Sequence, residues 1–245
     1  MQENIYGKNA IQELIRTTPE RINKILISTT AKKDKKINEI ISEAKENGVL
    51  FQFVPSQKLD TLTENSSHQG IVASISPIDY LDLDDFLNDL NKENAIVVIL
   101  DGVEDPHNLG SIIRTAVCAG VDGIIIPSRR SASVNATVQK ASAGAVNRIP
   151  IIKVNNIVNA IEKLKEKSFW VYGADASAEQ NYYDVDFGGS CAIVLGGENC
   201  GISKLVGCKC DYLIKIPMLS DFNSLNVANA GSIIIYEVIK QRMGK

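Results

Sequence analysis

Ala95-Ile-Val-Val-Ile-Leu-Asp-Gly-Val-Glu-Asp-Pro-His-Asn-Leu-Gly-Ser-Ile-Ile-Arg114 reads as a strand, a polar loop and the start of a helix. Ala95–Leu100 is apolar throughout rather than alternating, as expected for a strand of a parallel sheet covered on both faces. The same grammar continues to the end of the chain. Further strands are expected at Gly123–Pro127, Ile149–Val154, Phe169–Ala174, Ala192–Leu195 and Tyr212–Ile216. Helices are expected at Leu109–Ala119, Val134–Ala143, Ile157–Lys167, Ile202–Gly207 and Leu225–Arg242. The fold class is therefore α/β, with a parallel sheet over residues 94–245.

Working outward, residues 1–76 read as a smaller α/β unit in the order α-β-α-β-α-β. Its helices are at Asn9–Ile15, Lys35–Glu46 and Ser56–Leu62, and its strands at Lys24–Ser28, Val49–Val54 and Gly70–Ser76. Pro77 opens an acidic stretch, 77–93, with six acids and one base. It reads as a linker holding one short helix over Leu83–Leu90, with a solvated surface helix of a single domain as the alternative. The chain's net charge of −3 resides in that stretch, because the flanking parts hold 10 bases with 9 acids and 15 bases with 14 acids. Composition alone would not suggest a nucleic-acid partner, although a local patch could still bind one.

The 245 residues are 44% apolar and 22% charged, ordinary for a globular protein. No apolar run approaches the roughly 20 residues of a membrane span, and Met1-Gln-Glu-Asn-Ile-Tyr lacks the pattern of a secretory signal. A cytoplasmic location is expected, with no membrane partner. Cys118 and Cys191 sit in apolar runs and are expected in the core. Cys208-Lys-Cys210 is the only close cysteine pair, and the only histidines are His68 and His107, so no metal site is expected.

Three polar loops follow apolar runs: Asp101–Arg114, Val194–Ile202 and Ile216–Val227. Ligands of open α/β sheets bind at the carboxyl ends of strands, so three such loops suggest one composite site. In the first, Asn108 stands where an N-cap is favoured. Arg114 falls in a helix expected to be largely buried, and so calls either for a structural ion pair or for an anionic ligand. In the second, Gly196-Gly-Glu-Asn-Cys-Gly201 would let the backbone approach a ligand closely, but its spacing is not that of a dinucleotide fingerprint. In the third, Ser224 is the expected N-cap of the last helix. Asn226 and Asn229 lie in or beside its apolar start and need partners.

Taken jointly, D-x-x-N-x-G-x-x-x-R, G-x-E-x-x-G and I-P-M…S-L-N-V resemble the SpoU/TrmH family of the SPOUT RNA methyltransferases, over residues 94–245. Gly7-Lys-Asn-Ala10 and His68-Gln-Gly-Ile-Val-Ala73 resemble the ends of that family's RNA-binding extension, a small α/β domain similar to certain ribosomal proteins. The resemblance implies a trefoil-knotted catalytic domain and S-adenosylmethionine as cofactor, held by Gly196, Gly197, Ile216, Met218 and Leu225. It implies functional roles for Asn108, Arg114, Glu198, Ser224 and Asn226, and a homodimer with the last helix in its interface. The subgroup most resembled methylates a guanosine ribose in 23S ribosomal RNA. Two positions depart from the pattern: Ser220 stands where a Gly is usual, and Ala228 where a Ser is common.

On this reading Arg114 grips the phosphate beside the target ribose and helps activate its hydroxyl electrostatically. Asn108, Ser224 and Asn226 position the hydroxyl, and Glu198 orients Arg114 or its loop. Lys8, Asn9, Arg16 and Lys24 are candidate RNA contacts. The alternatives are a transfer RNA or a resistance-type ribosomal site as substrate, a non-catalytic RNA-binding or ribosome-assembly module, and a generic nucleotide-binding enzyme. The absence of phosphate-loop and dinucleotide motifs speaks against the last.

Overall fold

The computed structural model describes residues 3–198, 200–221 and 223–244. Asn199 and Phe222, inside the second and third loops, lie outside the described residues. The chain forms two compact units, Met1–Asp79 with Ser133–Arg148, and Tyr80–Ala132 with Ile149–Lys245.

The first unit carries β1 (Glu3–Tyr6), α1 (Lys8–Thr17), β2 (Ile22–Ser28), α2 (Lys35–Glu46), β3 (Phe51–Val54), α3 (Ser56–Leu62) and β4 (Ile71–Ile75). Its sheet runs β1-β4-β2-β3, with only the β2–β3 pair parallel. Buried Ile11, Leu14 and Ile15 of α1 and Ile37 and Ile40 of α2 share one core with Ile5, Ile25, Ile27 and Ile71 of the strands. Strand β1 is absent from the sequence reading. It is a four-residue edge strand with Ile5 as its one fully buried apolar residue, too little for a periodic signal. Residues 133–148, which the sequence assigns with the rest of 94–245, pack in this unit. They bring a helix at Ala136–Ala141 (α6), an Arg148–Glu13 ion pair, and a hydrogen bond from Arg21 to Asn147 Oδ1 at 2.7 Å.

Among the described residues the second unit holds seven strands, all paired in parallel: β5 (Ile96–Asp101), β6 (Gly123–Pro127), β7 (Ile151–Val154), β8 (Trp170–Ala174), β9 (Gln180–Asn181), β10 (Cys191–Gly196) and β11 (Tyr212–Lys215). Their spatial order is β7-β6-β5-β10-β8-β11-β9. The chain runs outward from β5 to β7, then returns to build the other half beside β5. The β5–β10 junction is thus where the winding reverses, the place at which such sheets bind ligands. Two-residue β9 gives no sequence signal of its own. The helices are α4 (Leu83–Asp89), α5 (Pro106–Cys118), α7 (Ile157–Glu166), α8 (Lys204–Gly207) and α9 (Val227–Met243). The acidic stretch is part of this core from Tyr80 on. Leu83, Phe86 and Leu87 are buried with Val97, Ile99 and Ile152, while Asp84 turns outward to Lys163 at 2.6 Å. Helix α9 lies across β10, where a Cβ on Gly231 would meet Leu195 Cδ1 at 2.6 Å.

Candidate active site

Loops one and two are tied by main chain. Gly197 N donates to Asp101 O at 2.8 Å, and Ser203 N donates to Asp101 Oδ2 at 2.8 Å. The approach is so close that only glycine fits. A Cβ on Gly197 would stand 2.1 Å from the Gly102 carbonyl oxygen, and one on Gly196 would stand 2.0 Å from the Gly201 carbonyl carbon. These are backbone atoms and cannot move aside as a side chain could.

A chain of side chains then joins all three loops. Asn226 caps α9, its Oδ1 accepting from Ala228 N at 2.9 Å and Asn229 N at 3.4 Å. That fixes the amide's orientation, so Nδ2 is left to donate to Asn108 Oδ1 at 3.0 Å. Asn108 Nδ2 in turn donates to Glu198 Oε1 at 2.6 Å, a charge-assisted bond. Every donor faces an acceptor along the line Asn226–Asn108–Glu198.

Expectations change here at Asn108, Ser224, Arg114 and Cys118. Asp105, not Asn108, caps α5, because Pro106 occupies the first helical position and Asn108 lies inside the first turn. Asn226, not Ser224, caps α9. Of the two partners expected for Glu198, it bonds the loop, through Asn108, and makes no bond to Arg114 among the described residues. Arg114 is exposed, not buried: it shares the outer stripe of α5 with His107, Ser111 and Cys118, and has no hydrogen-bond or ion-pair partner among the described residues. Cys118 is likewise exposed, since the apolar run around it belongs to a helix with only one face inward. Cys191 is buried as expected, and burial pushes its thiol up to about 11.

Beside the polar line, at the carboxyl ends of β8, β10 and β11, is a cavity of about 370 Å³. Gly196, Gly197, Ile216, Met218 and Leu225, the five residues expected at a cofactor, all line it, together with Glu198 and Ser224. Leu195, Ile214, Val227 and Ile234 give it apolar walls. The size lies in the range of small-molecule sites, and a few polar groups on an apolar ground is their usual make-up. The sequence reading missed Asp175 and Ser177 of the loop after β8, where Asp175 Oδ1 accepts from Ser177 Oγ at 2.7 Å. The strand-end rule that found the other loops applies to this one as well. Asp101 was missed as the tie between loops.

In the first unit, Gly7 and Gln69 bring the two quoted ends of the extension together, Lys8 N donating to Gln69 Oε1 at 3.0 Å. Lys8 Nζ is engaged by Asp34 at 2.5 Å, and Arg16 by Glu43 at 2.5 and 3.0 Å. These partners hold both carboxyls below their usual range. Asn9 and Lys24 are exposed. Among the described residues there is no cluster of three or more metal-binding side chains, and no helix long and apolar enough to cross a membrane.

Residues 95–236 match the SpoU rRNA Methylase family, and residues 4–81 match the domain described as RNA 2'-O ribose methyltransferase substrate binding. A Staphylococcus aureus (strain COL) protein named "Putative TrmH family tRNA/rRNA methyltransferase" is 48% identical over 240 residues, covering 97% of this chain and 96% of its own. The SpoU methyltransferase AviRb from Streptomyces viridochromogenes, solved with AdoMet, superposes with a TM-score of 0.82 at 23% identity, covering 99% and 91% of the two chains. An AdoMet-bound rRNA methyltransferase from Sinorhizobium meliloti gives 0.80 at 23% identity, covering 98% and 87%. At those identities the two structures speak to fold.

Proposed function

Because the chain belongs to the SpoU rRNA methylase family, we propose that it transfers a methyl group from S-adenosylmethionine to a ribose 2′-hydroxyl, that of a guanosine in 23S ribosomal RNA. The observation that carries this reading is the line Asn226–Asn108–Glu198, running along a cavity lined by all five residues expected at the cofactor. The cavity suits the cofactor: apolar walls for its adenine, and two glycines where any side chain would collide with backbone. Once bound, the cofactor supplies a sulfonium-activated methyl group.

What remains for the chain is to align the hydroxyl and to ease loss of its proton. Asn108 and Asn226 hold each other and Glu198 in fixed orientations, so the rim is ordered before RNA arrives. Ser224, exposed and lining the cavity, is proposed to contact the incoming hydroxyl. Arg114, free of protein partners among the described residues, engages the neighbouring phosphate. Guanidinium is too strongly protonated to act as a base, so its part is electrostatic. Its stripe adjoins α9, which packs beside α5 through a Thr115–Ser232 hydroxyl contact at 3.0 Å. The outer face of α9, with Asn229 and Tyr236 exposed, is the surface proposed to join two subunits. The close passes of Gly196 on Gly201 and of Gly197 on Gly102 are where the trefoil knot is proposed to tighten. Residues 1–76 are proposed to select the RNA, with exposed Asn9 and Lys24 as their freest candidates.

Transfer RNA is the competing substrate, on the name of the Staphylococcus relative. Labelled S-adenosylmethionine offered with unmodified 23S RNA and bulk transfer RNA in parallel tests the choice. Label in 23S RNA supports the proposal, label in transfer RNA alone replaces the substrate, and label in neither rejects the activity.

A further inference from the structure

From Gly123 to Ile161 the chain has five basic residues and no acidic one, although the whole protein is net acidic. Three of the five are engaged within their own units. Arg148 pairs with Glu13, Lys140 lies over the Tyr6 ring at 4.7 Å, and Lys153 lies over the Tyr80 ring at 4.4 Å. Arg129 and Arg130 remain. Both are exposed and have no partner among the described residues.

They occupy the loop that leaves the carboxyl end of β6. Since β5 and β6 are parallel neighbours, this loop emerges on the same sheet edge as the loop bearing Asn108. It is anchored at both ends. Ser128 donates through N to Val154 O at 2.8 Å and through Oγ to Asn155 Oδ1 at 3.0 Å, and Ala132 N donates to Val103 O at 2.9 Å. The second anchor ties it directly to the catalytic loop. Arg130 has φ 56°, a left-handed conformation that suits glycine or asparagine and is uncommon for a long side chain. No contact among the described residues accounts for an arginine at this backbone position, and its side chain stands open to solvent.

We propose that Arg129 and Arg130 form a phosphate clamp that grips the RNA backbone beside the target nucleotide, on the edge of the sheet that carries the catalytic loop. The proposal rests on the RNA-methylating reading above. Paired guanidinium forks on a loop fixed at both ends suit phosphate oxygens, whereas a flexible lysine tail would supply only charge. The contact is to the backbone, so it adds affinity and register rather than base choice.

The test compares the full-length protein with an Arg129→Ala/Arg130→Gly variant. The control, Lys92→Ala/Lys167→Ala, removes equal charge at the opposite, amino-end edge of the sheet. Affinity for 23S RNA is measured across a salt series, alongside kcat, KM for RNA and S-adenosylmethionine affinity. Glycine suits the backbone at position 130, so the variant is expected to melt no lower than wild type. The clamp predicts weaker RNA binding, a higher KM, a salt slope lowered by about 0.7 per lost phosphate contact, and unchanged cofactor affinity. A lysine pair at 129 and 130 should restore the slope but only part of the affinity. Wild-type RNA affinity and slope in the variant, or an equal loss in the control, overturns the clamp while leaving the enzymatic reading intact. A wild-type protein that neither binds nor methylates RNA overturns both.

Discussion

Asn226→Asp separates the two jobs that Asn226 performs. Aspartate caps a helix as well as asparagine does, and its charge at the amino end of α9 is favoured by the helix dipole. It cannot donate, so the 3.0 Å bond to Asn108 Oδ1 is lost. Turning the Asn108 amide over would serve the new carboxylate but would aim its oxygen at Glu198, breaking the 2.6 Å bond instead. One bond is lost either way, the second of them to a charged group. Bonds to charged groups contribute about 1.5–3 kcal/mol, and the exposure of Glu198 argues for the lower end. If that bond orders the rim in the transition state, kcat/KM falls about tenfold. Asn226→Ala loses the cap as well, about 1 kcal/mol, which lowers Tm by about 2–4 °C in a chain of this size. Calorimetric melts and methyl-transfer rates on all three proteins separate the effects. Full turnover by Asn226→Asp would show that the line is architectural only. A Tm as low as that of Asn226→Ala would show that the cap is not what Asn226 contributes to stability.

Other substitutions and conditions follow from the same geometry. Gly197→Ala, with its Cβ 2.1 Å from Gly102 O, should lose cofactor binding in isothermal titration, whereas Gly207→Ala, with open space around it, should bind normally. Arg114→Ala should abolish turnover with Tm and cofactor affinity nearly unchanged, as its side chain has no partner among the described residues; lost cofactor affinity in a folded variant would refute its assignment. With a thiol reagent at pH 8, exposed Cys118, Cys200 and Cys208 should label in the native protein. Cys191 should not, and Cys210, pushed up to about 12, should label slowly if at all. Because burial raises both of those thiols, their contribution to stability is full below the ordinary thiol pKa and is lost as pH rises toward 11–12, which alkaline melts can follow. At the other end, Asp34 and Glu43 are lowered by Lys8 and Arg16. Their contribution is present above the ordinary carboxylate range of about 4 and should fade as pH falls below it. Glu43→Gln should flatten that acid limb in a melting series.

The parallel sheet was legible because continuous runs such as Val97–Leu100 and Ile124–Ile126 leave few other readings, and the three loops because they follow such runs. Helix α2 matched at both ends, with Asp34 as cap and Asn47-Gly48 as stop. What escaped depended on contacts distant in sequence. Strand β1 exists because β4 is there to pair with it, some 70 residues on. The packing of residues 133–148 with the first unit rests on Glu13 and Arg21, which no local pattern connects to Arg148 and Asn147. Arg114 is exposed because α5 turns only its Leu109, Ile112, Ile113 and Ala116 side inward, so a helix whose composition suggests large burial still leaves one stripe in solvent. The partners of Asn108 and Asn226 lie 90 and 118 residues away, so sequence could say that the Asn226 amide needed a partner but not which, and could offer Asn108 only as a cap.

The most direct test of the central claim is the chemical position of the transferred methyl. RNA labelled by the wild-type protein would be hydrolysed in alkali, which cuts beside a free 2′-hydroxyl and spares a methylated one. The account predicts label in an alkali-resistant dinucleotide whose 5′ residue is guanosine. Label recovered in single nucleotides, and therefore on a base, would contradict it.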